Sequence, residues 1–153
     1  MKKEEITQEW ARSLPKSKRQ IVSHLKCASD FLVMGDAMPF IEEIAKAYDY
    51  NIVKVKLQTL DVLRGTPIVM EGVSSTYFVL EEEWKKAIEL SEKKSLLIFN
   101  IDDADDRLVN NLKSIVERHG DNYFVGLICT DKTRDLERTT IFDLVKPVII
   151  WES

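Results

Sequence analysis

Short apolar runs alternate with amphipathic segments along this chain. The runs predict buried strands at residues 31–34, 52–57, 95–101, 123–128 and 147–151. Between them, apolar residues recur at the three- and four-residue spacing of helices that are buried on one side. Strands and helices in alternation are typical of crossover units, which build a parallel sheet with helices on both faces. The pattern therefore predicts a three-layer α/β/α sandwich with a five-stranded, mainly parallel sheet.

The segment between the second and third predicted strands has a different pattern. Residues 68–70 and 76–79 are apolar and flank a glycine-containing loop, which predicts a β-hairpin inserted into the sandwich. Loops on a rigid scaffold often carry function, so we regard the tip of this hairpin as a candidate interaction surface. Its residues are Met70, Glu71, Gly72, Val73, Ser74 and Ser75.

Residues 1–15 predict an N-terminal arm, followed by a single α/β domain at residues 16–153. The arm is mostly polar, and Trp10 is its largest apolar side chain. It is either a helix docked on the domain or an arm that packs on a partner through Trp10. Immediately after the arm, Ser17 is a residue type that caps helices, and we expect it to begin the next one.

The composition is that of a globular domain, with 44% hydrophobic and 31% charged residues in 153. The formal net charge of -4 gives no general attraction to nucleic acid or acidic lipid, although a local basic patch could bind either. No apolar run approaches the ~20 residues of a membrane span, and no signal-peptide pattern opens the chain. Cys27 and Cys129 are far apart and form no metal-binding or disulfide pattern, so we expect a cytoplasmic protein.

The third predicted strand ends in a group of acids at residues 102–106. Ligands of open α/β sheets bind at the carboxyl ends of the strands, so Asp102 and Asp103 are candidate ligands of a divalent cation. Together with Asp131 they would suit a metal-dependent phosphoryl-transfer enzyme or a Toprim-like nuclease, which also needs a glutamate after an earlier strand. The simpler interpretation is that acids favour the N-terminus of a helix, by ~0.3–1 kcal/mol each.

With these elements in place, the chain from about Lys18 to Trp151 resembles the P-loop core of the AAA+ ATPases, and within them the MoxR-type branch. The similarity lies in a strand at residues 52–57, the run Gly65-Thr66-Pro67, the hairpin, and the buried strand that ends in acids. The resemblance implies a P-loop NTPase-like sheet with a phosphate-binding loop after the first strand. It also implies Walker B acids at the end of the third strand and a sensor residue after the fourth.

The catalytic residues that the resemblance implies are replaced in this chain. In the phosphate-loop position only Gly35 fits the motif, Asp36 adds a carboxylate, and no lysine or hydroxyl follows. Asn100 and Ile101 stand where the family has its aspartate and glutamate, and an isoleucine cannot act as a general base. Thr130 or Asp131 falls in the sensor position. We also expect no helical lid after the final strand, no ATP hydrolysis, and neither ATP nor Mg²⁺ as a cofactor.

These substitutions lead to one main hypothesis and two alternatives. The main one is a non-catalytic AAA+-like domain that binds a protein partner, such as an active AAA+ ATPase or a nucleic-acid-processing complex. The alternatives are the metal-dependent enzyme built on Asp102 and Asp103, and an oligomeric scaffold that uses a sheet edge or Trp151. Nucleic acid is a partner that the charge does not indicate, and we expect no membrane. A viral or mobile-element origin would suit a small protein of this kind.

Overall fold

The computed structural model describes residues 1–58, 86–112, 122–137, 139–145 and 147–152. The strands are β1 (Phe31–Met34), β2 (Asn51–Gln58), β3 (Ser95–Asp103), β4 (Tyr123–Cys129) and β5 (Ile149–Ile150). The helices are α1 (Gln8–Arg12), α2 (Lys16–Cys27), α3 (Met38–Ala47), α4 (86–89) and α5 (Asp106–Asn111), with 3-10 helices at Lys3–Glu5 and Thr140–Leu144. The predicted hairpin, with its tip from Met70 to Ser75, lies outside the described residues.

The five strands form one sheet in the order β2-β3-β4-β1-β5, and every described pairing is parallel. β1 therefore lies between β4 and β5, and β4 lies between β1 and β3. Because all strands run the same way, their carboxyl ends meet at one edge of the sheet, which we call the carboxyl edge. This arrangement brings the ends of β1, β3 and β4 side by side.

Each face of the sheet has its own hydrophobic core. Side chains alternate between the faces along a strand, so Phe31 and Val33 of β1 pack with α2 and α3, whereas Leu32 and Met34 face the opposite core. That second core includes residues of α4, α5 and the segment after β4. Helical elements thus cover both faces, and the prediction of a three-layer α/β/α sandwich with a mainly parallel sheet is confirmed.

The N-terminal segment packs against the core on the α2 and α3 side. The hydroxyl oxygen of Thr7 accepts a hydrogen bond from the backbone N–H of Trp10 (3.0 Å) and so caps α1. Trp10 is half-buried and contacts this core together with Ile6 and Leu14. Of the two sequence-based interpretations of the arm, the structure contains the docked helix.

Two local predictions were wrong. Ser17 does not cap α2, which begins at Lys16 with Pro15 as its N-cap. The Ser17 side chain is buried, and its hydroxyl oxygen accepts a hydrogen bond from the Glu152 N–H (3.2 Å). The sequence pattern also predicts a mostly helical segment from Thr133 to Val145. Of its described residues, Thr140–Leu144 form a 3-10 helix, whereas residues 133–137 contain no helix. Aspartate side chains in this segment accept hydrogen bonds from the N–H groups two residues later, and such bonds compete with a helix.

Among the described helices, none has the length and apolar character that a membrane span requires.

Candidate functional site

The connection from β1 to α3 is short and tightly turned. Gly35 has φ +127°, a backbone conformation that side chains other than glycine rarely adopt. Its N–H donates to the Cys129 carbonyl oxygen of β4 (2.7 Å), and its own carbonyl oxygen accepts the Ala37 N–H (3.0 Å). A Cβ at Gly35 would lie 2.6 Å from the Trp151 Cβ and 3.0 Å from the Lys132 Cε. Two neighbouring side chains therefore close the space around this glycine.

Trp151 lies beside Gly35 because it follows β5, the neighbour of β1. Its backbone N–H donates to the Met34 carbonyl oxygen (2.9 Å), and this bond extends the pairing of β5 with β1. The indole ring contacts Phe40 in the first turn of α3, with the ring centroids 5.7 Å apart. The Lys18 ammonium lies 5.8 Å from the Trp151 ring centre and 5.4 Å from that of Phe40. An aromatic pair and a cation thus cover the start of α3.

The first turn of α3 offers few hydrogen-bond donors to an anion. No side chain caps the helix at its N-cap residue, Ala37, and Pro39 in the first turn has no N–H. Asp36, the sequence-predicted carboxylate in this loop, is exposed. The loop therefore presents a negative charge at a helix end where a phosphate would need N–H groups.

At the end of β3, the candidate residues are engaged by their own neighbours. The Asn100 Oδ1 accepts the Asp102 N–H (3.0 Å), and Ile101 is fully buried. The Asp102 carboxylate accepts two hydrogen bonds from Thr130, one from its N–H (2.6 Å, to Oδ1) and one from its hydroxyl (3.0 Å, to Oδ2). Asp102 therefore ties the end of β3 to the end of β4.

Asp131 bonds within its own loop. Its Oδ1 accepts the Thr133 hydroxyl (2.6 Å) and the Thr133 N–H (2.9 Å). These two bonds, the hydroxyl first, lower the pKa of the Asp131 carboxyl below its ordinary value, with a further contribution from the charge of Arg134. Asp103 is exposed at the end of β3. In the part of the chain that the structure describes, no three acid, histidine or cysteine residues are grouped to hold a metal ion.

Arg134 is a central residue of this edge that sequence reasoning missed. Its guanidinium donates to the carbonyl oxygens of Ile101 (2.6 Å) and Ala104, and it forms an ion pair with Asp106 (3.2 Å). Only 17% of the side chain is exposed. The guanidinium therefore holds the backbone of the acidic turn that follows β3. The hydrophobic pattern placed Arg134 in a helix, which concealed this role.

The structure thus brings Gly35, Asn100, Asp102 and Asp131 to one edge. Gly35 and Asp102 bond to residues at the end of β4, whereas Asn100 bonds within β3 and Asp131 within its own loop. Trp10 lies outside this edge, in α1. Cys129, the last residue of β4, is fully buried, and burial raises the pKa of its thiol. Compared with known proteins, the chain matches no protein-family model and no curated protein. The class that the fold itself defines is a parallel three-layer α/β domain.

Proposed function

We propose that this chain is a non-catalytic AAA+-like domain that acts by binding a protein partner. The observation that carries the proposal is the contact of Trp151 with Gly35. In the P-loop core that the chain resembles, the nucleotide phosphates lie against this loop, and here an aromatic side chain lies against it.

The hydrogen-bonding capacity of the loop supports this proposal. A phosphate-binding loop needs several backbone N–H groups that point at the anion, with a lysine to balance its charge. In this chain the N–H groups of Gly35 and Ala37 already donate to backbone carbonyls, and Pro39 has none. Asp36 adds a negative charge that would repel phosphate.

The end of β3 supports the same conclusion. Hydrolysis needs a carboxylate that activates water, and the position that the resemblance assigns to it is the buried Ile101. The nearest acid, Asp102, already accepts two hydrogen bonds from Thr130. We infer that this acid stabilises the edge of the sheet.

The retained scaffold favours an AAA+-like domain over an unrelated sandwich. The resemblance assigns the phosphate loop, the sensor and the Walker B acids to the ends of β1, β4 and β3. These three strands are adjacent in that order. A scaffold that keeps this arrangement with its chemistry replaced is suited to contacts with other proteins, such as an active AAA+ ATPase.

Thermal unfolding with ATP or ADP plus Mg²⁺, and with Mg²⁺ or Mn²⁺ alone, tests the proposal. We expect no change in the unfolding midpoint. Binding at ~100 times the dissociation constant would add ~2.7 kcal/mol of stability and raise the midpoint on the order of 5–10 °C. An active P-loop ATPase in the same plate is the positive control.

A nucleotide-dependent shift, or Mg²⁺-dependent ATP turnover that Asp102→Ala abolishes, would contradict the proposal. A shift with Mg²⁺ or Mn²⁺ alone would instead favour the metal-dependent alternative at Asp102 and Asp103.

A further inference from the structure

An apolar groove of about 410 Å³ lies at β5, on the face of the sheet opposite α2 and α3. One wall is β5 itself, and the other is the segment at residues 132–137. We call it the β5 groove. Among the described residues, its apolar lining consists of Leu32, Met34, Leu136, Phe142, Val148 and Ile150.

The β5 groove exposes apolar surface to solvent. Ile150 is 52% exposed, one of four large hydrophobic side chains in the described residues that are substantially exposed. Phe142 and Val148 are partly exposed beside it. Contiguous apolar surface of this kind is typical of sites that bind a partner, whereas single exposed apolar residues are common everywhere.

Among the described residues, the carboxyl edge beside the groove is acidic, whereas the charged lining of the groove itself consists of two acids and two bases. Asp135 and Glu137 are exposed on its wall, next to Lys132 and Arg134. Arg134 is already bonded to two carbonyl oxygens and to Asp106. Around the whole carboxyl edge, residues 35–37, 101–107, 130–137 and 151–152 contain nine acids and three basic residues, to which Lys18 beside Trp151 adds a fourth. Charge complementarity therefore favours a positively charged partner.

β5 is an outermost strand of the sheet, and its open side is poorly suited to pairing with another strand. β5 has two residues, and Pro147, two residues before the strand, has no N–H to donate. Short edge strands and prolines are the features by which proteins block edge-to-edge pairing. We therefore expect recognition by side chains that enter the groove.

We propose that the β5 groove binds a short segment of a partner protein in which an aliphatic or aromatic anchor is flanked by lysine or arginine. The anchor would contact Ile150, Val148 and Phe142, and the basic flanks would face Glu137 and the acidic carboxyl edge. This inference rests on the proposed function, since it names the kind of partner that such a binding domain would take.

A display library of random peptides, selected against the whole chain, tests the inference without a known partner. We expect selected peptides to share an apolar anchor with basic flanks. A synthetic peptide of the selected sequence is then titrated by calorimetry into the wild type and three variants. Ile150→Glu should weaken binding at least tenfold, because it places a charge in the apolar lining. Glu137→Lys should weaken binding several-fold and reduce its dependence on salt.

The matched control is Leu90→Glu, which makes the same kind of change at an 86% exposed residue outside the groove and should leave binding unchanged. Unfolding midpoints of all variants check that they fold. The inference is overturned if no peptides are enriched, if the selected flanks are acidic or uncharged, or if Leu90→Glu weakens binding as much as Ile150→Glu.

Sedimentation of the wild type and Ile150→Glu gives an independent outcome. Self-association that Ile150→Glu abolishes would assign the groove to a second copy of the chain and overturn the proposed partner. The two proposals fail separately. If the protein binds nucleotide, the proposed function is contradicted, whichever peptides bind. If it binds neither nucleotide nor peptide, only the inference about the β5 groove is contradicted.

Discussion

The variant Gly35→Ala tests the contact that closes the loop after β1. Alanine is strained at φ +127°, and backbone strain of this kind costs on the order of 1–3 kcal/mol. The added Cβ would also lie 2.6 Å from the Trp151 Cβ, an atom that cannot rotate away. Steric overlap in a packed site costs roughly 1–3 kcal/mol more. We therefore expect Gly35→Ala to lower the free energy of unfolding by about 2–6 kcal/mol.

A double-mutant cycle separates the two contributions. Trp151→Gly removes the Cβ that the new methyl group meets, so in this background Gly35→Ala should cost only the backbone strain. Trp151→Ala keeps that Cβ, so it should relieve little of the cost and is the matched control. Urea unfolding of the single and double variants gives the coupling free energy.

The reasoning is refuted if Gly35→Ala changes the free energy of unfolding by less than ~0.5 kcal/mol. It is also refuted if its cost is the same with Trp151→Gly as with the wild type. Either result would mean that Trp151 does not press on the loop, and the main support for the non-catalytic proposal would be lost.

Three further predictions concern two polar contacts of the carboxyl edge and one titratable side chain of α2, His24. Thr130→Val should destabilise the protein by about 1–2 kcal/mol in urea unfolding because Asp102 loses a hydroxyl donor, and in the Asp102→Ala background it should cost much less. Arg134→Lys should cost about 2–4 kcal/mol, because an ammonium cannot reproduce the forked contacts with two carbonyl oxygens; recovery of wild-type stability would contradict this role. Burial lowers the pKa of His24 below its ordinary value of ~6.5, so protons bind the unfolded state more readily, and stability should fall as the pH drops below ~6.5 towards the folded-state pKa. His24→Gln should flatten this part of the pH profile, and parallel profiles for the two proteins would count against it.

The strands were predictable because burial on both faces leaves a continuous apolar run. The run at Phe31–Met34 is buried throughout, and a short apolar run between polar segments is typical of a strand that is covered on both faces. The location of the candidate site was predictable for a related reason, since parallel strands all end at the same edge. Gly35, Asn100 and Asp102 lie there as the pattern predicted.

What the sequence did not reveal are contacts between residues far apart along the chain. Ser17 looked like a helix cap, but it bonds the N–H of Glu152, 135 residues away. Trp151 was considered for partner contacts, and its position over Gly35 depends on β5 pairing with β1. Arg134 was hidden because side-chain bonds of nearby aspartates form turns where the apolar spacing suggested a helix. Local patterns cannot encode such pairings.

The central position of β1 has a consequence for how the chain folds. β1 is synthesised before both of its neighbours in the sheet, β4 and β5, which follow about 90 residues or more later. At ~5–20 residues per second of synthesis, the Phe31–Met34 run waits roughly 5–20 s before either neighbouring strand has been made. During that interval its apolar side chains and unpaired backbone are accessible to chaperones and to other unfolded chains. The strand that lies between β4 and β5 in the finished sheet is thus exposed to aggregation while the sheet is incomplete.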